Sequence, residues 1–149
     1  MEIIGGSCRL GLWFVHVWWN DTAVYQVRFA TTGLPGRVPE PIRQYCAGHG
    51  VNLSQLNNIA VQEDTVYGRI YRAVQQVPYG STSTYGEIAR IAGTSPRVVG
   101  QAMARNPVPL VIPCHRIVAA GGIGGFSSPL EIKEALLSME KKGLRRAEK

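Results

Sequence analysis

Apolar and polar side chains alternate near the start of the chain in a way that predicts β-strands. Residues 10–19 are rich in aromatic and β-branched side chains, Asn20 and Asp21 provide a turn, and residues 22–30 alternate again. We therefore predict a meander of about three strands within residues 3–31.

Further along the chain, apolar residues recur at helical spacing instead. Residues 39–47 fit a helix that ends at Gly48, and the polar stretch 51–62 fits a connector. Asp64 is a candidate N-cap for a longer helix that breaks before Pro78.

Two short helices joined by a tight turn are predicted next. Thr84 and Glu87 form a capping box, which opens a helix that Gly93 ends. Ser95 is an N-cap followed by proline, and it begins a second helix that carries Arg97. This arrangement is typical of a helix-turn-helix.

The last predicted helix begins at a second capping box, formed by Ser128 and Glu131. We expect it to run to about residue 142 and to stop at Gly143. Lys133 and Glu140 lie seven positions apart and therefore share a face of this helix.

These elements predict an α/β (α+β) protein with two domains. Residues 1–61 would form a small N-terminal antiparallel sheet with a helix. Residues 62–149 would form a mainly helical, winged-helix-like domain that contains the helix-turn-helix.

Residues 113–118 read Pro-Cys-His-Arg-Ile-Val, and they place a thiol beside an imidazole after a proline-rich segment. A nearby histidine or cation lowers the pKa of a cysteine, and the thiolate is the nucleophilic form. Cys114 is therefore the candidate nucleophile. The alternative is a buried, inert cysteine at a turn.

Four features in this order resemble the O6-alkylguanine-DNA alkyltransferases. They are Tyr85, Arg97-Val-Val-Gly100, Asn106-Pro107 and Pro113-Cys-His-Arg-Ile-Val118, and the resemblance covers residues 62–143. It implies direct-reversal DNA repair, in which an alkyl group moves irreversibly from O6 of guanine, or O4 of thymine, to the protein after base flipping.

The resemblance also implies roles for individual residues. Cys114 would accept the alkyl group, His115 would be its water-linked base, and Glu140 would orient the imidazole. Asn106 would brace the turn before the reactive segment, and Tyr85 would donate toward the base. Met103, Ile117, Ser127, Ser128 and Lys133 would bind or support the flipped guanine.

DNA would be bound through the minor groove by the helix-turn-helix, with Arg97 filling the gap that the flipped nucleotide leaves. The other DNA-contacting residues would be Val98, Gly100, Gln101, Arg105 and Arg116. The expected partner is double-stranded DNA containing O6-alkylguanine, bound by a monomer without a cofactor.

Composition fits this expectation. The net charge is +6 and the pI about 9.6, which favours a polyanionic partner. Three cysteines do not make a disulfide framework, and the pattern Cys46-Ala-Gly-His49 is too weak for a zinc site. Without a signal peptide or an apolar span we expect a cytoplasmic protein, nucleoid-associated or nuclear depending on its source, and no membrane partner.

Two other function classes remain. A non-reactive protein of the alkyltransferase-like kind would bind alkylated bases and recruit other factors, but such proteins usually lack the acceptor cysteine. A cysteine hydrolase would use Cys114 and His115 for many turnovers, and it would be expected to show an ester or acyl pocket.

Overall fold

A computed structural model of the protein describes residues 1–147. The predicted meander is a three-stranded antiparallel sheet in chain order. Its strands are β1 (Ile4–Leu10), β2 (Trp13–Trp19) and β3 (Val24–Ala30). Val15 and Val17 of β2 are fully buried because alternate side chains of a strand point to one face, and here that face is the core.

Within residues 1–147 the structure has five α-helices and a second, two-stranded sheet. The helices are α1 (Glu40–Cys46), α2 (Val66–Gln75), α3 (Tyr85–Ala92), α4 (Pro96–Ala104) and α5 (Leu130–Ala147). The short parallel strands are β4 (Ser83–Thr84) and β5 (Ile117–Val118). The expected α+β fold class is confirmed.

The helix-turn-helix forms through the local signals in its sequence. The Thr84 hydroxyl accepts from the Glu87 N–H while the Glu87 carboxylate accepts from the Thr84 N–H, so both halves of the capping box are made. Gly93 ends α3 with φ +72°, a conformation that favours glycine. Ser95 caps α4 by accepting from the Val98 N–H.

Three predicted helix ends are wrong. Helix α5 begins at Leu130, and neither hydrogen bond of the predicted Ser128–Glu131 capping box is found among the described residues. The N-cap of α2 is Thr65 rather than Asp64. Gly143 does not end α5, which continues to Ala147. A Cβ at Gly143 would lie 2.3 Å from the Tyr79 hydroxyl, so this glycine is required by close packing rather than by a helix stop.

Buried side chains from both predicted halves form one hydrophobic core. The Val27 N–H of β3 donates to the Pro107 carbonyl at 2.9 Å, which ties the sheet to the segment before Cys114. The reactive segment therefore lies between the sheet, the helix-turn-helix and α5. None of the helices described is long and apolar enough to cross a membrane.

Candidate active site

The chain reaches Cys114 through a tight turn that Asn106 braces. The Asn106 amide donates to the Ile112 carbonyl at 2.8 Å, and its Oδ1 accepts from the Val108 N–H at 3.0 Å. Leu110, inside the turn, has φ +75°, which is uncommon for a residue with a side chain. The brace thus holds a strained segment that leads directly into the short 3₁₀ turn Cys114–Arg116.

Cys114 is buried, and its thiol is not activated by its surroundings alone. Burial raises the pKa of the Cys114 thiol, although a hydrogen bond with the Asn106 side chain, the charge of Lys133 and nearby backbone N–H groups act to lower it. The adjacent histidine does not by itself produce a resting thiolate, contrary to the expectation from sequence. The thiol therefore needs a base at the moment of reaction.

Glu140 of α5 lies behind the reactive turn and is only 1% exposed. Its two carboxylate oxygens receive five hydrogen bonds. The donors are His115, Arg116 (twice), the Gly80 N–H and the Tyr45 hydroxyl, and we call Glu140 and these four residues the rear network. Burial alone would raise the pKa of Glu140, but His115 and Arg116 hold it well below its usual value, so the carboxylate stays ionised.

His115 has one defined tautomer in this network. Its Nε2 lies 2.6 Å from Glu140 Oε2, and because an ionised carboxylate only accepts, Nε2 carries the proton. Nδ1 is then free to act as an acceptor. Burial lowers the pKa of His115, an effect that Glu140 opposes and that Arg116 and Lys133 reinforce, so the imidazole is a neutral base.

Arg116 corrects a prediction from the sequence. Rather than contacting DNA, its guanidinium is buried and donates to both oxygens of Glu140 at 2.9 and 3.0 Å. A third hydrogen bond reaches the Val77 carbonyl, and the group lies over the Tyr79 ring. Arg116 thus neutralises Glu140 internally, and its fork-shaped donor group suits that two-oxygen contact.

A cavity of about 270 Å³ opens on the other side of Cys114. We call it the front cavity, and its lining is Tyr85, Gly100, Met103, Ala104, Cys114, Gly125, Phe126 and Ser127. Four predicted site residues thus meet around the candidate nucleophile, namely Tyr85, Gly100, Met103 and Ser127. Ile117, Ser128 and Lys133 stand outside the lining.

Lys133 holds one wall of the front cavity in place. It is fully buried, and its ammonium donates to the Ile117 carbonyl at 2.7 Å and the Gly125 carbonyl at 2.8 Å. Burial lowers the pKa of Lys133, while the neighbouring Cys114 acts to raise it. The Ile117 carbonyl therefore already accepts one hydrogen bond from a buried side chain.

Among the predicted DNA-contacting residues of α4, Gly100 lines the front cavity and the others lie outside its lining. Arg97, Gln101 and Arg105 are exposed, and Arg105 donates to the Tyr67 hydroxyl at 3.1 Å. Val98 packs partly against the core. A Cβ on Gly100 would meet open space, so this glycine leaves the mouth of the cavity wide.

A comparison with protein families matches residues 65–142, just over half of the chain, to the model described as 6-O-methylguanine DNA methyltransferase, DNA binding domain. The chain belongs to the 6-O-methylguanine DNA methyltransferase family. The matched range contains the helix-turn-helix, Cys114, His115 and Glu140.

Curated proteins similar in sequence to this chain carry names that agree with this family. The chain is 41% identical over 96 residues to the methylated-DNA–protein-cysteine methyltransferase of Saccharolobus islandicus, which is 64% of this chain and 62% of that protein. It is 50% identical over 72 residues to the enzyme of the same name from Metallosphaera sedula, 48% of this chain and 46% of that one. The matched part thus spans less than two thirds of these curated relatives.

Solved structures of the family share the fold. The O6-methylguanine-DNA methyltransferase of Pyrococcus kodakaraensis superimposes with a TM-score of 0.72 at 28% identity, covering 93% of this chain and 99% of that one. The Mycobacterium tuberculosis O6-methylguanine methyltransferase gives 0.73 at 22% identity, over 95% and 94% of the two chains, which shows the fold alone. The likeness therefore extends beyond the matched family range into the N-terminal sheet.

Sequence reasoning missed two residues of this family member's site and gave a third, Arg116, the wrong role. Tyr45 lies in the N-terminal half, where no motif points to it, yet it contacts Glu140. Phe126 walls the front cavity and stacks on Phe29 of β3 at a ring distance of 6.0 Å. One feature of the sequence could have revealed the internal role of Arg116. The run Val108–Val118 is otherwise almost entirely apolar, so an arginine within it is expected to be buried and paired.

Proposed function

We propose that this protein repairs DNA by transferring an alkyl group from O6 of guanine to the sulfur of Cys114. The observation that carries the proposal is the position of Cys114 between two different environments. Behind it lies an ordered, charge-compensated base network, and in front lies an apolar-walled cavity that opens beside an arginine-bearing helix.

The rear network provides a neutral base for the Cys114 thiol, because the negative charge of Glu140 is compensated within the network. His115 presents a neutral imidazole whose Nε2–H is held by Glu140, which leaves Nδ1 to take the thiol proton, through a bridging water. Glu140 then stabilises the imidazolium that forms. Thiolate thus arises only as the reaction begins.

The transfer is an in-line displacement at the alkyl carbon. A bond forms between Cys114 Sγ and that carbon while the bond from the carbon to guanine O6 breaks, and the electron pair stays on the guanine. Tyr85 lines the cavity and is half-buried; burial raises the pKa of its hydroxyl, while a hydrogen bond with the Gly125 backbone lowers it. In this proposal the Tyr85 hydroxyl donates to the developing base anion.

An alkyl group on O6 lies inside the duplex, so the nucleotide must leave the stack to reach the buried sulfur. Unstacking costs a few kcal/mol, and less for a badly paired base, which favours damaged sites. Arg97 is exposed at the start of α4 and would occupy the gap that the flipped nucleotide leaves. The partner is therefore duplex DNA, bound by one molecule of the protein through α3 and α4.

The product is a thioether on Cys114, which ordinary hydrolysis does not cleave. Each protein molecule would therefore act once. An alkyl group on O4 of thymine is held by an alkyl–oxygen bond of the same kind, and we propose it as a second substrate.

The test is a peptide map after incubation with a duplex containing O6-methylguanine. The three cysteines fall in separate tryptic peptides, residues 1–9, 44–69 and 106–116. We expect the mass of one methyl group on the peptide 106–116 alone, none with an unmodified duplex, and none for Cys114→Ala. Binding of the lesion without any mass gain would contradict transfer and favour a non-reactive lesion-binding protein.

A further inference from the structure

Tyr45 connects the N-terminal half of the chain to the base network behind Cys114. It lies in α1, it is 1% exposed, and its hydroxyl donates to Glu140 Oε2 at 2.5 Å. The same oxygen lies 3.3 Å from His115 Nε2. A residue far from the reactive segment in sequence thus contacts both members of the proton-accepting pair.

The contact completes the coordination of one carboxylate oxygen. Glu140 Oε2 accepts from three side chains, His115, Arg116 and Tyr45, whereas Oε1 accepts from Arg116 and the Gly80 N–H. Among the donors to Glu140 that the structure describes, Tyr45 alone comes from the sheet-bearing half of the chain. The remaining donors all lie in residues 80–116.

We propose that Tyr45 is a positioning residue for alkyl transfer, whose hydroxyl fixes Glu140 Oε2 and keeps His115 as a neutral base with its proton on Nε2. This inference rests on the proposed function, because it assigns Tyr45 a role in activating Cys114. It also gives the N-terminal half a part in the chemistry.

Charge provides the physical reason. Titratable groups from three elements face His115. Helix α5 contributes Glu140 and Lys133, and the turn of His115 itself contributes Arg116 and Cys114. Helix α1 contributes Tyr45. Glu140 favours the imidazolium, while the two cations disfavour it. By donating to Glu140, Tyr45 spreads part of the carboxylate charge and weakens its pull on a proton at His115.

The Tyr45 hydroxyl stays a donor throughout the working pH range. Burial raises the pKa of Tyr45, and the nearby Glu140 charge raises it further. The hydroxyl therefore does not compete with His115 for the thiol proton. Its ring packs edge-on against Tyr79 at 6.0 Å, so a phenylalanine at this position keeps the packing and loses only the hydrogen bond.

The test measures the rate of single-turnover methyl transfer against pH for Tyr45→Phe. Without the hydroxyl, the full Glu140 charge acts on His115, and the pKa of His115 rises. We expect the acidic limb of the profile to move up by about half a pH unit or more. Near neutral pH the rate should fall a fewfold, with affinity for unmodified duplex unchanged.

Tyr79→Phe is the matched control. The Tyr79 hydroxyl is a buried oxygen without a hydrogen-bond partner in the described structure, and it lies beside the same network. Removing it deletes the same atom from a neighbouring ring without taking a donor from Glu140. Its pH profile should coincide with that of the wild type.

A second variant keeps the hydroxyl at position 45 and tests a shift of the pH profile in the opposite direction. A fluorotyrosine at position 45 is a stronger donor, so it should move the acidic limb to lower pH. Uniform slowing of Tyr45→Phe at every pH, or no shift in either variant, would overturn the inference. Absence of any methyl transfer by the wild type would instead contradict the proposed function.

Discussion

The two sides of Cys114 differ in how complete they are. Behind the sulfur, Glu140 has five hydrogen-bond donors and a paired arginine, and it is closed to solvent. In front lies a cavity of about 270 Å³ with a half-buried tyrosine, an exposed serine and a wide mouth at Gly100. The base network behind the sulfur is already assembled, whereas the cavity in front of the sulfur still has room for a ligand.

This difference suggests where specificity and reactivity come from. A fixed base network does not need to reorganise when the substrate arrives, which lowers the cost of forming the thiolate. Under the proposed function, the front cavity and Arg97 would instead decide which base enters. Changes behind the sulfur should therefore affect both stability and chemistry, and changes in front should affect chemistry with little effect on stability.

The largest effect is expected for Glu140→Gln. The substitution leaves the buried Arg116 guanidinium without its counter-charge, which should lower the free energy of unfolding by about 3–5 kcal/mol. Methyl transfer should also become much slower, because the imidazolium loses its stabilising charge. Urea unfolding and single-turnover transfer measure the two effects.

Glu134→Gln is the control for that substitution, since Glu134 is an exposed residue of the same helix. It should change the free energy of unfolding by no more than about 0.5 kcal/mol. Equal stability of the two variants would show that the Arg116–Glu140 pair does not hold the rear network together.

A smaller effect is expected on the front side, for Arg97→Ala. If Arg97 fills the vacated stack as proposed, losing its side chain should slow transfer from duplex DNA by about tenfold or more. The free energy of unfolding should stay within about 0.5 kcal/mol of the wild type, because the residue is exposed.

Arg90→Ala is the matched change for Arg97, because Arg90 is an exposed arginine of α3. It should weaken binding to any duplex slightly and leave the transfer rate at saturating DNA unchanged. Equal transfer rates for the two variants would contradict the role given to Arg97.

The smallest effect is expected when the pH is lowered, which should reduce the free energy of unfolding. The pKa of His115 is lowered from 6.5 in the folded protein, so the unfolded chain binds a proton there more readily and stability is lost as the pH falls below that value. The pKa of Glu140 is lowered from 4.5, and its contribution is present above 4.5 and lost as the pH falls further. We expect a loss of about 1 kcal/mol between about pH 7.5 and about pH 5.5, with a steeper loss below 4.5.

Urea unfolding midpoints are measured across this pH range for the wild type and for His115→Asn. The difference between the two proteins isolates the contribution of His115. The variant should show a flatter dependence above pH 5.5, and it should keep only part of the loss below 4.5, because Arg116 but not His115 still lowers the pKa of Glu140. An identical slope in the two proteins would assign the sensitivity to other groups.

The sequence predicted the helices and strands whose formation depends on contacts between residues close together in the chain. Thr84, Glu87, Gly93 and Ser95 define α3 and α4 through contacts within a few residues, and such contacts are visible in the sequence. The alternation of the first thirty residues likewise predicted the sheet. The resemblance of the sequence to a known family supplied the expected roles of Cys114, His115 and Glu140, and the structure places the last two in hydrogen-bond contact.

The remaining features depend on contacts between distant parts of the chain. Gly143 reads as a helix stop, but only the folded structure shows the Tyr79 hydroxyl packed against it. Arg116 looks like a DNA contact in a basic protein, and its partner Glu140 is 24 residues away. Tyr45 sits 95 residues before Glu140 in a region without a motif, so nothing near it in the sequence could reveal the contact.

The most direct test of the account is a titration with an excess of duplex carrying radiolabelled O6-methylguanine. If Cys114 keeps the alkyl group as a thioether, the transferred label should reach a plateau at one methyl group per protein molecule and should not rise with time. Continued release of repaired DNA beyond that plateau, or label held by a residue other than Cys114, would contradict the account.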